Sequence, residues 1–241
     1  MAVQNTLVKK TGLQKLEEVQ YLANGKQVTL SLNTVRNYLV SGDKERVTTQ
    51  EIVMFINLCK FTGLNPWLRE AYCIKYGNEP ATLVVGKEAF FKRAENNENY
   101  DGLDAGIVVM DTSGEFIYRK GTMKLPDEQI IGGWAEVYRK DRNHSFRIEV
   151  SFDEYAGKKK DGTLNSQWSK KPATMIRKVA VVQALREAFP NTFEGMYVAE
   201  EQGASEPEYV ASDVIEAPQA EPEPVQEAPE SQQDAESSFF S

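Results

Sequence analysis

The segment PATMIRKVAVVQALREAF, residues 172–189, predicts a long helix that is apolar on more than one side and therefore lies in the core of the fold. Pro172 suits the first position of a helix, and Pro190 ends it. Its apolar residues form two sets: Ile176, Ala180 and Ala184 on one side, and Met175, Val179 and Val182 on another. One set is expected to pack against the sheet of its own domain. The other set packs against a neighbouring subunit or, alternatively, makes this the central core helix of a single chain.

Upstream of this helix the sequence has the pattern of paired strands separated by turns. Three hairpins are predicted: Ala71–Tyr76 with Ala81–Val85, Ile107–Met110 with Phe116–Lys120, and Trp134–Arg139 with Phe146–Phe152. Residues 157–169, rich in Lys, Gly and Ser, are expected to form a loop between the last hairpin and the helix. The predicted fold class is therefore α+β, with antiparallel β-hairpins in a meander packed with helices.

Further helices are predicted in the first hundred residues. Thr48 and Glu51 have the spacing of a capping box, and Gly63 closes the helix that they start. This helix places four apolar residues on one face: Ile52, Phe55, Ile56 and Cys59. Another helix is expected over Lys87–Asn97. Gly12–Leu22 has a weak helical pattern, and Asn33 is a candidate N-cap for a short helix, so residues 1–44 are expected to form an N-terminal arm and helix available for subunit contact.

Charge is distributed unevenly along the chain, whose formal net charge is −8. Residues 203–241 contain ten carboxylates and five prolines but no Lys or Arg, which predicts a disordered acidic tail. Without it, 28 basic residues face 26 acidic ones. Residues 139–178 hold eleven cations against five carboxylates, a local net charge of +6. This cationic stretch is either a solvated surface or a binding site for a polyanion, of which nucleic acid is the first candidate.

The sequence lacks the motifs that are typical of several kinds of chemistry. There is no phosphate-binding P-loop and no dinucleotide fingerprint, so use of ATP is not expected. His144 is the only histidine, and Cys59 and Cys73 are the only cysteines. With no signal peptide or apolar membrane span in the sequence, a cytoplasmic protein is predicted. A magnesium-dependent nuclease remains as an alternative, with Asp101 and Asp104 or Asp153 and Glu154 as the candidate ligands.

Aromatic residues lie next to cations at two places in the cationic stretch. Trp168 precedes Lys170 and Lys171, and Tyr138 precedes Arg139. Aromatic faces stack on unpaired bases, so this pattern favours single-stranded nucleic acid over duplex. The alternative for Trp168 is that its indole fills the core beside the final helix.

Five segments together make the chain recognisable. They are Gly63-Leu64-Asn65-Pro66-Trp67, Val84-Val85-Gly86, Tyr100-Asp101-Gly102, Tyr138-Arg139-Lys140-Asp141-Arg142-Asn143-His144 and Met175-Ile176-Arg177-Lys178. Their order and spacing over residues 45–198 resemble the phage RecT/Redβ family of single-strand annealing proteins. The acidic tail is not covered by this resemblance.

The resemblance implies an α+β core distantly like that of Rad-type annealing proteins. It implies that residues 45–202 bind single-stranded DNA, assemble into rings or helical filaments, and anneal complementary strands without ATP. It further implies a phage protein acting in the bacterial cytoplasm with an exonuclease and the host single-strand binding protein as partners. Such a protein is not an enzyme and requires no cofactor, with Mg²⁺ as a screening ion. A module that binds and protects single strands without annealing them is the principal alternative.

The resemblance and the charge pattern together suggest the residues that contact DNA. Phosphate contacts are assigned to Arg139, Lys140, Arg142, Lys159, Lys160, Lys171, Arg177, Lys178 and Arg186, with Lys92 and Arg93 as second-rank candidates. Base stacking is assigned to Trp168 and Tyr138. Arg177 and Arg186 have an alternative role in salt bridges between subunits. The hairpin turn, the lysine-rich loop and the start of the final helix are expected to be three walls of one groove.

Overall fold

The computed structural model describes residues 18–204, and its elements confirm the α+β class. The strands are β1 (Val19–Ala23), β2 (Lys26–Leu30), β3 (Val40–Gly42), β4 (Ala71–Lys75), β5 (Thr82–Val85), β6 (Tyr100–Met110), β7 (Phe116–Lys120), β8 (Gln129–Arg139) and β9 (Phe146–Ser151). The helices are α1 (Leu32–Thr34), α2 (Thr49–Thr62), α3 (Lys87–Glu95), α4 (Phe152–Tyr155), α5 (Ser166–Lys170) and α6 (Pro172–Ala188). A π-helical turn, Val35–Leu39, extends α1, and 3₁₀ turns occupy Lys44–Arg46, Pro66–Leu68 and Ala199–Gln202.

Three sheets organise these elements. β1 pairs with β2, and a three-stranded sheet has the order β3-β4-β5. The largest sheet has the order β7-β6-β8-β9, and all of its neighbours are antiparallel. The three predicted hairpins are confirmed as β4–β5, β6–β7 and β8–β9. The parallel pairing of β3 with β4 had no local sequence signal, because it joins segments that are far apart in the chain.

The N-terminal part differs from the expectation. Val19–Ala23 is a strand rather than the end of a helix, and it turns through Asn24 and Gly25, both with positive φ, into β2. Asn33 is not the N-cap, since the hydroxyl of Ser31 accepts the cap hydrogen bond. Leu30 and Val35 are fully buried in the same core as the later elements. The remainder of the predicted arm, residues 1–17, and the tail from residue 205 onward lie outside the described residues.

The helix α2 forms as its sequence predicts. The Thr48 backbone N–H donates to the Glu51 carboxylate at 2.8 Å, and the Glu51 N–H donates to the Thr48 hydroxyl at 3.2 Å. Gly63 ends the helix in the left-handed conformation that glycine adopts without strain. The four predicted core residues of α2 are the buried ones. Burial raises and hydrogen bonds from Lys75, Thr48 and Ala81 lower the pKa of Glu51, which settles at about 2.

The helix α6 lies at the centre of the core. Its inner face packs on β8, β9 and β6, and α3, α4 and α5 contact it from other sides. Both predicted apolar sets are at most 5% exposed. Burial on all sides within one chain therefore supports the central-core alternative, and the second apolar set needs no neighbouring subunit to cover it. Across residues 18–204, none of the helices combines the length and apolar character needed to span a membrane.

Replacing Gly133 with alanine is expected to destabilise the fold. A Cβ at this position of β8 would lie 2.7 Å from the carbonyl oxygen of Ile176, so α6 would have to move away from the sheet. Overpacking of this kind costs about 1–3 kcal/mol of unfolding free energy. Urea unfolding measures the change, and Ser151→Ala on the exposed face of neighbouring β9 is the control. An unchanged unfolding midpoint for Gly133→Ala would contradict the close approach of α6 to β8.

Candidate nucleic-acid interface

The cationic residues collect at opposite ends of the largest sheet. One group, here named the turn cluster, comprises Arg139, Lys140 and Arg142 at the β8–β9 turn. The other, the loop cluster, comprises Lys158, Lys159, Lys160, Lys170 and Lys171, which lie between α4 and α6. Arg139 contacts the carbonyl of Ala188 at the end of α6, whereas the loop cluster leads into the start of α6. The helix α6 has 17 residues and is therefore about 25 Å long. The two clusters adjoin its opposite ends and are separated by about this length.

This separation corrects one expectation. The lysine-rich loop and the start of α6 do lie together, but the β8–β9 turn is at the far end of the same helix. The three segments are therefore not walls of one groove within a single subunit. The reason is topological, because β8 and α6 run alongside each other and carry the two clusters to their opposite ends.

In the turn cluster, Arg139 is held by its own subunit. Its guanidinium donates to both carboxylate oxygens of Asp141, at 2.8 and 2.7 Å, and to the Ala188 carbonyl, and it stacks on Phe189 at 4.5 Å. The hydrogen bonds from Arg139 lower the pKa of Asp141. Arg139 thus serves as a cap for the C-terminus of α6, where a cation is favourable.

Lys140 and Arg142 differ from Arg139 in being exposed. Neither side chain has a hydrogen-bond or salt-bridge partner among residues 18–204. Arg142 lines a cleft of about 380 Å³ together with Asn97 and Asn191. Tyr138 lies near the end of β8, on the face of the sheet opposite α6. Its side chain is 37% exposed, so its ring is accessible.

The loop cluster is built on a short ordered loop. A bridge between Lys158 and Leu164 closes its base, and the carboxylate of Asp161 accepts hydrogen bonds from the backbone and hydroxyl of Thr163 at 2.9 and 2.6 Å. The Thr163 bonds lower the pKa of Asp161. The one carboxylate of this turn is therefore engaged by Thr163, and the lysines of the loop are exposed to solvent.

The loop lysines, like Lys140 and Arg142, remain available for contact with a ligand. Lys159, Lys160 and Lys171 are exposed, and within the described part of the chain their ammonium groups have no side-chain partner. Lys158 and Lys170 share this state, although the sequence reasoning did not single them out. Their membership of the lysine runs 158–160 and 170–171 was the signal that could have included them.

Other predicted DNA contacts instead fasten the segment that follows α6. The ammonium of Lys178 lies 2.6 Å from the carboxylate of Glu200, and these side chains are 8% and 0% exposed. Arg186 makes a bidentate pair with Glu201, at 2.9 and 2.5 Å, and stacks on Tyr197 at 4.6 Å. The expectation that Lys178 is a surface phosphate contact is therefore corrected. Lys178 precedes the fully buried Val182 and Leu185 by four and seven residues, a helical spacing that signals burial.

The second-rank candidates also have partners inside the subunit. Arg93 donates to the carbonyls of Thr62 and Thr192, and its burial lowers its pKa. Lys92 donates to the buried carboxylate of Glu70 at 2.7 Å. Arg177, on α6, donates to the Ala105 carbonyl of β6 at 3.3 Å. Through these contacts all three cations join different segments of the subunit, and this role does not depend on any contact with a ligand.

Trp168 is inside the protein. It has 0% exposure and meets Phe152 edge-on, with ring centroids 5.4 Å apart. Its face is therefore not offered to a base at the surface, and the alternative that it fills the core beside α6 is the one observed. Asn165 holds it in place, because its side-chain oxygen caps α5 and accepts from the Trp168 backbone N–H at 3.1 Å.

One arrangement on the sheet surface was missed by the sequence reasoning. The guanidinium of Arg147 lies 5.0 Å from the ring centroids of both Tyr118 and Trp134, on the face of the sheet opposite α6. The alternation of residues along β8 and β9 is the signal that places these residues on one face. Among residues 18–204, no group of three or more His, Cys, Asp or Glu side chains is arranged to hold a metal ion.

Comparison with known proteins identifies the family. Recombination protein bet of Escherichia phage lambda is 25% identical over 174 residues, which make up 70% of this chain and 57% of the phage protein. Uncharacterized protein UU154 of Ureaplasma parvum serovar 3 is 26% identical over 182 residues, or 75% of this chain and 72% of that protein. The chain thus spans little more than half the length of the lambda protein. A model of the RecT family matches residues 26–214, which include every described element from β2 onward, and the chain belongs to the RecT family.

Proposed function

We propose that this protein anneals complementary single strands of DNA without ATP, as a non-catalytic component of phage recombination. Membership of the RecT family and similarity to a phage recombination protein support this proposal. The single observation that carries it at residue level is the loop cluster, five exposed lysines without side-chain partners in the described chain. Lysines in this state bind phosphates regardless of base sequence, as an annealing protein requires.

The two clusters suggest how a strand follows the protein. Because they lie at opposite ends of α6, a single subunit contacts the strand at two places about 25 Å apart. In an oligomer the loop cluster of one subunit would be followed by the turn cluster of its neighbour, which gives the phosphates a continuous path. Base edges that do not contact the protein then remain open to a second strand. Pairing is energetically downhill once both strands are extended, so no nucleotide fuel is needed.

Partners and conditions follow from the same proposal. An exonuclease that produces single strands and the single-strand binding protein of the bacterial host are the expected partners inside the cell. No cofactor is required, and Mg²⁺ acts by screening repulsion between the two strands. Homo-oligomers, as rings or helical filaments, supply the continuous path for DNA.

The purified protein is expected to anneal complementary oligonucleotides in buffer without ATP. Fluorophore and quencher labels on the two strands report pairing, and native electrophoresis tests whether both strands stay in one protein complex. A requirement for ATP would overturn the mechanism. Binding of single strands without retention of both would identify a protection module instead, and Mg²⁺-dependent shortening of the labelled strands would identify a nuclease.

A further inference from the structure

A cleft of about 440 Å³ opens beside the loop cluster. Its walls come from the start of β8, from α4, from α5 and from the first residue of α6. The volume falls within the range of about 300–1,000 Å³ that is typical of small-ligand sites in proteins. Neither the sequence pattern nor the phosphate contacts of the proposed function account for this cleft.

The cleft has apolar and polar walls in about equal measure. Ile130 and Ile131 from β8, Phe152 from α4 and Leu164 from the loop are half-buried and form the accessible apolar part of the lining, which also includes Trp168, a residue with no exposed surface. The polar part of the lining comprises Lys124, Glu128, Gln129, Asp153 and Ser169. A flat ligand with apolar faces and hydrogen-bonding groups on its edge suits such a lining.

Charge is arranged differently at the lining and at the rim. Asp153 contributes a carboxylate to the lining, and Glu128, which is held by Arg119, contributes another. Lys124 contributes one ammonium, which donates to the Glu128 backbone carbonyl at 2.9 Å. Lys170 and Lys171 are exposed directly beside the lining residues Ser169 and Pro172. Two carboxylates against one ammonium leave the lining net anionic, so an anion is disfavoured inside the cleft and attracted to its edge. A neutral group that carries an anion on its outer side satisfies both conditions.

We propose that the cleft holds one unstacked nucleobase of a bound single strand, while the adjoining phosphates lie on Lys170 and Lys171. This inference deepens the proposed function and rests on it. The base contacts the apolar walls with its faces, and its edge meets the amide of Gln129 and the hydroxyl of Ser169. Both groups can donate and accept hydrogen bonds, so the cleft accommodates different bases.

A base held in this way has an energetic signature that phosphate contacts lack. Stacking and burial of a base do not release counterions, so their contribution to affinity persists at high salt, where phosphate contacts weaken. Each subunit would then grip the strand at one fixed nucleotide in addition to its salt-dependent contacts.

The test compares two oligonucleotides with the same number of phosphates, one of thymidines and one of abasic nucleotides. Wild-type protein is expected to bind the abasic strand about fivefold or more weakly, at both low and high salt. Ser169→Phe fills the cleft and is expected to remove this difference while the salt slope stays the same. Ser166→Phe, which adds the same ring at an exposed position of α5 outside the cleft, is the matched control and should retain the difference.

The outcomes separate this inference from the proposed function. Failure to bind either oligonucleotide would refute the proposed function. Equal binding of both by the wild type would refute the base site and leave phosphate binding intact. A difference that survives in Ser169→Phe would place the base contact at another aromatic residue, such as Tyr138, and would also overturn the proposal for this cleft.

Discussion

Replacing Lys178 with alanine is expected to lower the melting temperature by about 10 °C. The ammonium of Lys178 and the carboxylate of Glu200 form a pair in which both side chains are at most 8% exposed. Removing the cation leaves the carboxylate in the core without that charge to balance it. Breaking a buried pair in this way costs about 3–5 kcal/mol, and each kcal/mol shifts the melting temperature by about 2–4 °C in a domain of this size.

Thermal unfolding followed by circular dichroism measures this effect, and Lys171→Ala provides the matched control. Lys171 lies seven residues earlier but is exposed, so its loss is expected to change unfolding free energy by about 0.5 kcal/mol or less. The double variant Lys178→Met with Glu200→Gln removes both charges and should recover part of the lost stability. Similar melting temperatures for Lys178→Ala and Lys171→Ala would show that the Lys178–Glu200 pair is not formed as described.

Variants of α6 that anneal DNA poorly are not direct evidence of a DNA contact on this helix. A variant that combines Arg177→Ala and Lys178→Ala removes a buried pair and the hydrogen bond from Arg177 to Ala105. Reduced annealing would then follow from a damaged fold, and it would not identify either side chain as a DNA contact. The exposed lysines of the loop cluster offer a cleaner test, because their replacement leaves the core unchanged.

The triple variant of Lys159, Lys160 and Lys171 to alanine is expected to bind single-stranded DNA about tenfold or more weakly at physiological salt. Each phosphate contact on a single strand contributes about 0.7 to the slope of log K against log salt, so three lost contacts should reduce that slope by about 2. Fluorescence anisotropy with a labelled oligothymidine across a series of salt concentrations measures both quantities. The melting temperature should stay close to that of the wild type, because all three side chains are exposed.

A variant with alanine at Lys26, Lys44 and Lys60 is the control for net charge. These lysines are also exposed, but they lie in the N-terminal part of the fold, on β2, in a 3₁₀ turn and on α2. If contact is localised at the loop cluster, this control should keep the wild-type slope. An equal loss of slope in both triple variants would mean that binding depends on overall charge and would contradict the assignment.

Much of the fold was predictable because its signals are local. The capping box of Thr48 and Glu51, the glycine that ends α2, and the prolines that bound α6 act within a few residues of the chain. The hairpins β4–β5, β6–β7 and β8–β9 join neighbouring segments through short turns. The pairing of β3 with β4 was missed because it joins segments that are far apart in the chain. The strand β1 was missed although its turn into β2, Asn24-Gly25, is a local hairpin signal.

In the candidate site, too, some features have local sequence signals and others depend on long-range packing. The fold class, the family resemblance and the cationic stretch could be read from the amino-acid sequence, since composition, spacing and turn chemistry act locally. Which cations stay exposed depends on long-range packing and therefore required the three-dimensional structure. Lys171 stays exposed, whereas Lys178 meets Glu200 across 22 residues and Arg93 meets Thr192 across 99. A lysine or arginine has the same chemistry in either role, and only the long-range packing around it determines whether it pairs with a group of the protein or stays exposed to solvent.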